Sequence, residues 1–352
     1  MEKLRIKTKK DYYVIIEENI LMNAWQYLPK DAKKAVIIWD ENVSVKPISK
    51  LGTTLESHGI ETIALSVEGG ENFKSLKTYE KMMKYLVEAN IGRNDIIFAV
   101  GGGSVGDMVG FIASTFKRGL KLVQIPTTLL AACDSSIGGK TAINFEGEKN
   151  VLGTFYQPDL VLIDPVMFDT LSEKQFKEGC SEIIKYGMIS DYELLELLSK
   201  KPVNKDRKDY AYISSILFKV IGIKAKVVEE DEYDFGPRNI LNFGHTFGHA
   251  IEAESEFKIS HGDAVAMGMR IITKMAVKKG IADPKTLELL EKSLLSHNID
   301  AKCPFELNTL LSHIKKDKKV KGSGIRIVLP KIPGKCYIED IEINELIRLF
   351  NE

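Results

Sequence analysis

Residues 95–107 read Asp-Ile-Ile-Phe-Ala-Val-Gly-Gly-Gly-Ser-Val-Gly-Asp. The apolar run Ile96 to Val100 has the composition of a buried strand, and Gly101, Gly103 and Gly106 satisfy the spacing G-x-G-x-x-G directly after it. An amphipathic helix is predicted to begin near Met108. Strand, glycine turn and helix in this order let backbone N–H groups approach a phosphate, whose charge the helix N-terminus stabilises. The stretch predicts a dinucleotide site in an α/β sheet, and a tight glycine-rich turn is the bland alternative.

Outward from this stretch, the β-branched runs KKAVIIWD, IETIALSV, LKLVQIP and LVLIDP alternate with helical patterns such as SLKTYEKMMKYLVEA. Such alternation specifies crossover units and a parallel sheet covered on both faces. We expect an N-terminal Rossmann-like nucleotide-binding domain over residues 1–170. From Leu171 the apolar period becomes 3.6, in KQFKEGCSEIIKYGMI, YELLELLSK, YAYISSILFKVIGIKAKVV, GDAVAMGMRIITKMAVKKG, LELLEKSLLS and INELIRLF. Residues 171–352 are therefore predicted to form a mainly α-helical metal- and substrate-binding domain. IRIVLP reads as a strand to which the sequence assigns no partner. The cleft between the two domains is the expected ligand site.

The 352 residues suffice for two domains. Lysine plus arginine balance aspartate plus glutamate at 49 each, so no global field favours nucleic acid and an anionic ligand needs a local basic cluster. Cys133, Cys180, Cys303 and Cys336 contain no C-x-x-C pair, which fits reduced thiols in a cytoplasmic protein. The charged start MEKLRIKTKK lacks a signal-peptide stretch, and no run of ~18 apolar residues occurs, so neither export nor a membrane span is expected.

A Rossmann fingerprint places a ribose-binding carboxylate ~20 residues beyond the glycines, and none is found there. Asp40, ending VIIWD, and Glu71 in GGENFKS are the substitutes. Of six histidines, His245, His249 and His261 crowd into GHTFGHAIEAESEFKISHGDA. The first two lie four apart on one helical face, and the third could return from a loop to complete a metal shell. Glu182, inside the apolar CSEIIKYG, is a candidate fourth group, because a carboxylate there is costly to bury unpaired. An ion pair with Lys185 is its alternative explanation. Arg118, Lys140, Lys149, Lys185 and Lys224 sit among small or apolar residues and suit a ligand bearing phosphate and carboxylate. GGKT fails as a P-loop, since Asp134 occupies the place of the first glycine.

Taken together, GGGSVGD, QIPTTLLAACDSSIGGKTAIN, KNVLGTFYQP, EIIKYG, RNILNFGHTFGHAIE and HGDAVAMGM resemble the successive signatures of the 3-dehydroquinate synthase family of sugar phosphate cyclases. The likeness extends from the region of Asp40 to Pro330. It implies that Glu182, His245 and His261 bind one divalent metal, Zn2+ or Co2+, and that His249 sits beside the substrate. It implies that Arg118, Asp134, Lys140, Asn150, Lys185, Lys224, Arg238, Asn242 and a lysine of the DKK segment, Lys318 in preference to Lys319, hold the substrate. Asp40, Asn42, Glu71, Lys74, Gly102, Gly103, Ser104, Asp107, Thr127, Thr128, Lys149 and Thr170 would line NAD. His249, Lys140, Lys185 and Glu182 would be the catalytic set. Ser104 stands where an aliphatic residue is usual, Phe145 replaces a frequent histidine, and Asp234 shortens an acidic position.

The implied reaction is a lyase step of the shikimate pathway, feeding aromatic amino acid biosynthesis. It converts the sugar acid phosphate 3-deoxy-D-arabino-heptulosonate 7-phosphate to 3-dehydroquinate and phosphate, by transient oxidation, phosphate elimination, reduction and aldol closure. A cytoplasmic homodimer is usual in such families. The rivals are another sugar phosphate cyclase, a metal-dependent NAD alcohol or polyol dehydrogenase, and a non-catalytic protein that retains the fold. Arg238 and Asn242 speak against a carboxylate-free substrate, and DSSIGGKTA and EIIKYG fit the dehydrogenases poorly.

Overall fold

Strands that are apolar on both faces must be covered on both, which is what the runs around the glycine turn require. The computed structural model describes residues 1–319 and 324–351. Its strands and helices are β1 (Glu2–Ile6), β2 (Tyr12–Ile16), β3 (Lys34–Asp40), α1 (Val45–Ser57), β4 (Glu61–Val67), α2 (Leu76–Glu88), β5 (Ile96–Gly101), α3 (Gly103–Thr115), β6 (Lys121–Pro126), β7 (Lys140–Phe145), β8 (Glu148–Phe155) and β9 (Leu160–Ile163). There follow α4 (Glu173–Ser190), α5 (Tyr192–Lys200), α6 (Tyr210–Glu230), α7 (His245–Glu254), α8 (His261–Lys278), α9 (Pro284–Ser296), α10 (Leu307–Lys319), β10 (Gly324–Ile332), β11 (Lys335–Glu342) and α11 (Ile343–Asn351).

Seven strands form one sheet in the order β1-β2-β9-β6-β5-β3-β4. Its pairings are parallel, apart from β1, which runs antiparallel to β2 at the edge. The period of two is visible in the core. Ile37 and Phe98 join a cluster with Ile48 and Leu51 of α1. Their sequence neighbours Val36, Ile38 and Ile97 join a second cluster with Met82 of α2 and Val109 of α3.

The chain divides into two compact units, Met1–Ser172 with Arg207–Glu229, and Glu173–Asp206 with Glu230–Glu352. The expected helical region from 171 onward thus loses most of α6 to the first unit. Lys224 there bonds the carbonyl and carboxylate of Asp134, and Leu4 of β1 lies 3.7 Å from where a Cβ on Gly222 would stand. A helical period shows that a face is buried, but not against what.

One further expectation needs correction, and one open point is filled. Helix α3 begins at Gly103, five residues before Met108, with Gly102 as its N-cap. Glycine is a poor helix former, yet here its small size is what packs: the Gly106 carbonyl accepts a 3.2 Å hydrogen bond from Gln124, and a Cβ on Gly106 would stand 2.9 Å from the Gln124 Oε1. IRIVLP finds its partner in β11, paired antiparallel to β10 in the second unit. A second two-stranded sheet, the antiparallel pair β7 with β8, belongs to the first unit.

Phe98 has no solvent exposure in the central strand β5. Phe98→Ala should cost about 3–5 kcal/mol, as large core truncations do, read as a lower urea midpoint with an unchanged slope.

Candidate active site

In the second unit, α4 is buried at nearly every position from Gly179 to Ile189, and Glu182 at its centre has no exposure. A carboxylate in such surroundings must be compensated. Lys185, itself 1% exposed, pairs with its Oε2. Oε1 faces Nε2 of His245 at 3.8 Å and Nε2 of His261 at 3.6 Å. The sequence had offered ion pairing and metal binding as alternatives for Glu182; its two oxygens have room for both.

His245 is the first residue of α7, behind Gly244 in the left-handed region at φ 82°, and His261 is the first of α8, behind the N-cap Ser260. The outer nitrogen of each ring is occupied. His245 Nδ1 lies 3.2 Å from the Phe243 carbonyl, and His261 Nδ1 lies 3.5 Å from Glu252 Oε2. Both rings therefore turn Nε2 toward Glu182, the arrangement that outer partners impose on metal-binding histidines. One ligand atom from each of Glu182, His245 and His261 lies within 4.8 Å of the others. His249 stands beside this trio, its ring 5.6 Å from His245 and 6.4 Å from His261.

A carboxylate with two imidazoles, leaving a position open, is the donor set of a catalytic zinc-type ion, so the residues fit a divalent cation. Burial drives His245 down to about 3, which keeps its ring neutral. Burial also opposes charge on His261, but hydrogen bonds and charges from Glu182 and Glu252 outweigh it and carry that ring up to about 10. A bound cation would take the place of that proton.

In the first unit, Val100 and Gly101 of β5 stand beside Ile125 and Pro126 of β6, and Asp40 beside Val67. Asp40, Asn42, Gly102, Gly103, Ser104, Thr127 and Thr128 thus share the carboxyl edge of the sheet, where ligands of open α/β folds bind. Asp40 accepts from the Asn42 backbone at 3.0 Å, and Ser104 Oγ accepts from the Gly70 N–H at 3.1 Å. Lys74, 3% exposed, pairs with Asp107 at 2.7 Å, touches the amide oxygen of Asn150 and lies 3.9 Å from Glu71. Burial raises Asp107, and Lys74 acts against that. Lys149 is exposed on β8, and the Thr170 hydroxyl donates to the Met167 carbonyl at 3.4 Å.

The cations expected to hold substrate are spread over both units. Lys224 pairs with Asp134, and Lys140 is exposed at the start of β7. In the second unit Arg238 is 3% exposed and donates to the Glu232 carbonyl at 2.7 Å, while Asn242 is exposed four residues on. Arg118 is set apart. It is exposed, in the left-handed region at φ 67°, just ahead of β6, hence at the opposite edge of the sheet from Gly102 and Thr127. The Lys318 side chain lies outside the described residues.

Sequence reasoning passed over two groups. Glu252 backs His261, and Asn144 donates to Glu71 at 2.7 Å while accepting from the Asn150 N–H at 2.9 Å. Glu252 follows His245 by seven residues, two helical turns, a spacing that could have marked it; Asn144 gave no local signal.

Comparison with known proteins divides the chain near the start of α4. Residues 64–178 match the family model described as 3-dehydroquinate synthase N-terminal, and residues 179–320 the one described as 3-dehydroquinate synthase C-terminal. A 3-dehydroquinate synthase of Dictyoglomus thermophilum is 41% identical, covering 99% of this chain and 97% of its own. A structure of 2-deoxy-scyllo-inosose synthase with carbaglucose-6-phosphate, NAD+ and Co2+ superposes with a TM-score of 0.86 at 23% identity over 99% of both chains. So does 2-epi-5-epi-valiolone synthase from Streptomyces hygroscopicus with NAD+ and Zn2+, at 0.86 and 24% identity over 96% of this chain and 95% of its own. These two similarities show a shared fold.

With His261 raised and His245 neutral, zinc added to metal-free protein near pH 8 should release about one proton, seen as a calorimetric heat that scales with buffer ionisation enthalpy. No release would contradict the protonated His261. The same raised group stabilises the metal-free fold fully below about pH 6.5, and that contribution fades as pH rises through about 10. His261→Ala should abolish both effects and lower metal content.

Proposed function

The chain belongs to the 3-dehydroquinate synthase family, and we propose how its residues divide that family's work. It converts 3-deoxy-D-arabino-heptulosonate 7-phosphate to 3-dehydroquinate and phosphate, with NAD and a divalent metal as cofactors. The observation that carries our assignment of roles is the buried trio Glu182, His245 and His261, one ligand atom of each within 4.8 Å of the others. When bound, NAD supplies a reversible hydride acceptor, and zinc or cobalt supplies Lewis-acid polarisation of a hydroxyl or carbonyl.

Glu182, through Oε1, and the two Nε2 atoms would hold the metal. Lys185 pairs with the second oxygen of Glu182 and so offsets the cost of burying that carboxylate in an apolar helix. His249, next to the trio but outside it, is placed to hold a substrate oxygen or pass a proton. Asp40, Asn42, Glu71, Lys74, Gly102, Gly103, Ser104, Asp107, Thr127, Thr128, Lys149 and Thr170 would line the dinucleotide. Their common edge and the N-terminus of α3 support this.

Lys140, Asn150, Lys224, Asn242 and Lys318 would serve the anionic substrate, with Asp134 holding Lys224 extended. Arg238 would meet the carboxylate, since its planar fork offers two parallel donors where lysine offers one point charge. Phosphate elimination needs these cations: the chain is formally neutral, so attraction for the leaving group must be local.

A homodimer is supported by Arg118, exposed at the edge away from its own dinucleotide side, where it is available to a second copy. A cytoplasmic setting is supported by the thiols, none of which forms a disulfide. No described helix is long and apolar enough to cross a membrane.

Purified protein with NAD should release phosphate from the heptulosonate phosphate, lose that activity with chelator and accumulate no NADH. Release only from a neutral sugar phosphate would assign the chain to a sister cyclase activity, and accumulating NADH to a dehydrogenase. Arg238→Lys should raise the KM for substrate roughly tenfold or more, the loss of one charge-assisted hydrogen bond at about 1.5–3 kcal/mol, with NAD affinity unchanged. Equal loss of both would remove Arg238 from the carboxylate.

A further inference from the structure

We propose that Gly262 and Gly268 are positioning residues for the metal ligands, because the space their missing side chains leave is what brings α8 against both α4 and α7. The inference rests on the reading of Glu182, His245 and His261 as the ligand set.

Gly262 follows His261 in sequence. A Cβ built on it would stand 2.4 Å from the Glu178 Cα and 2.7 Å from the Glu178 carbonyl oxygen. Glu178 lies one helical turn before Glu182 in α4. These are backbone atoms of a helix, so they cannot swing aside as a side chain would. Any side chain at 262 must move the first turn of α8 away from α4. That first turn carries His261, whose Nε2 stands 3.6 Å from Glu182 Oε1.

Gly268 does the same on the other side. Its Cβ would stand 2.0 Å from the Gly244 carbonyl oxygen and 2.9 Å from the Gly248 nitrogen. Gly244 immediately precedes His245. From the α7 side, a Cβ on Gly244 would meet the Val265 carbonyl oxygen at 2.8 Å, and one on Gly248 would meet Ala264 and Val265 backbone atoms at 3.3 Å. The two contacts are thus each one residue from a histidine of the trio.

Glycine is among the poorest helix formers, so local propensity gives no reason for it in the first and second turns of α8. Close approach does. Packed helices ordinarily keep their axes 8–10 Å apart, and side chains at these contacts would hold the three ligand-bearing helices at separations that spread the donors.

The test uses the full chain stripped of metal, titrated with Zn2+ against a chromophoric chelator and with Co2+ by visible absorption, alongside thermal melts of the metal-free forms. Gly262→Ala should bind Zn2+ about ten- to a hundredfold more weakly, the range typical of lost outer support, with altered Co2+ bands. Gly248→Ala meets only the 3.3 Å contacts, so it should fold, lose metal affinity by a smaller factor, and carry the test if Gly262→Ala does not fold. Wild-type affinity and Co2+ bands in a folded Gly262→Ala, or in Gly248→Ala where the former fails to fold, would overturn the role of the glycines. If instead wild-type protein takes up no metal, or His261→Ala binds it equally well, the ligand set itself is wrong and the proposal falls with it.

Discussion

The buried charge of Glu182 is the constraint around which the second unit is built. A carboxylate without solvent in an apolar helix is tolerable only if cationic or hydrogen-bonding partners surround it. Lys185 comes from the same helix, while His245 and His261 come from the first residues of two others. Starting a helix at each histidine fixes the ring close to a backbone that is itself anchored by packing. The close helix contacts and the bonds to the outer ring nitrogens then follow from the need to keep two imidazoles at one oxygen of Glu182 and an ammonium group at the other.

The first unit solves a different problem. Its parallel strands end together, so glycines, threonines and short polar side chains gather along one edge, where N–H groups and a helix N-terminus are available to phosphate. Charge there is scarce and specific. Asp107 is held against its desolvation by Lys74, and Asp134 is matched by Lys224 from α6. A chain with no net charge can in this way present strongly polar sites through local pairing.

Much of this was legible in the residues. Strands apolar on both faces announced themselves as continuous runs, and the helices α4, α5, α8, α9 and α11 as period-3.6 segments, because burial writes directly into composition. The trio was half legible: three clustered histidines suggested a metal, but the choice of His245 and His261 over the pair His245 and His249 depends on where α8 returns. That is a tertiary fact. The early start of α3 was obscured because glycine signals a turn by propensity and a close contact by packing, and only the second applies at Gly106. The membership of α6 in the first unit and the support from Glu252 and Asn144 were hidden for the same reason, since each is defined by a partner distant in sequence or by an orientation.

Lys74 has one ammonium group and several claimants: Asp107, Asn150 and, more distantly, Glu71, which Asn144 in turn ties to Asn150. Groups assigned to the dinucleotide and a group assigned to the substrate therefore draw on the same proton donors. Substitutions among them will not combine additively. With the roles proposed for these residues, a change made for nucleotide preference would also be felt in sugar recognition through the shared ammonium group of Lys74.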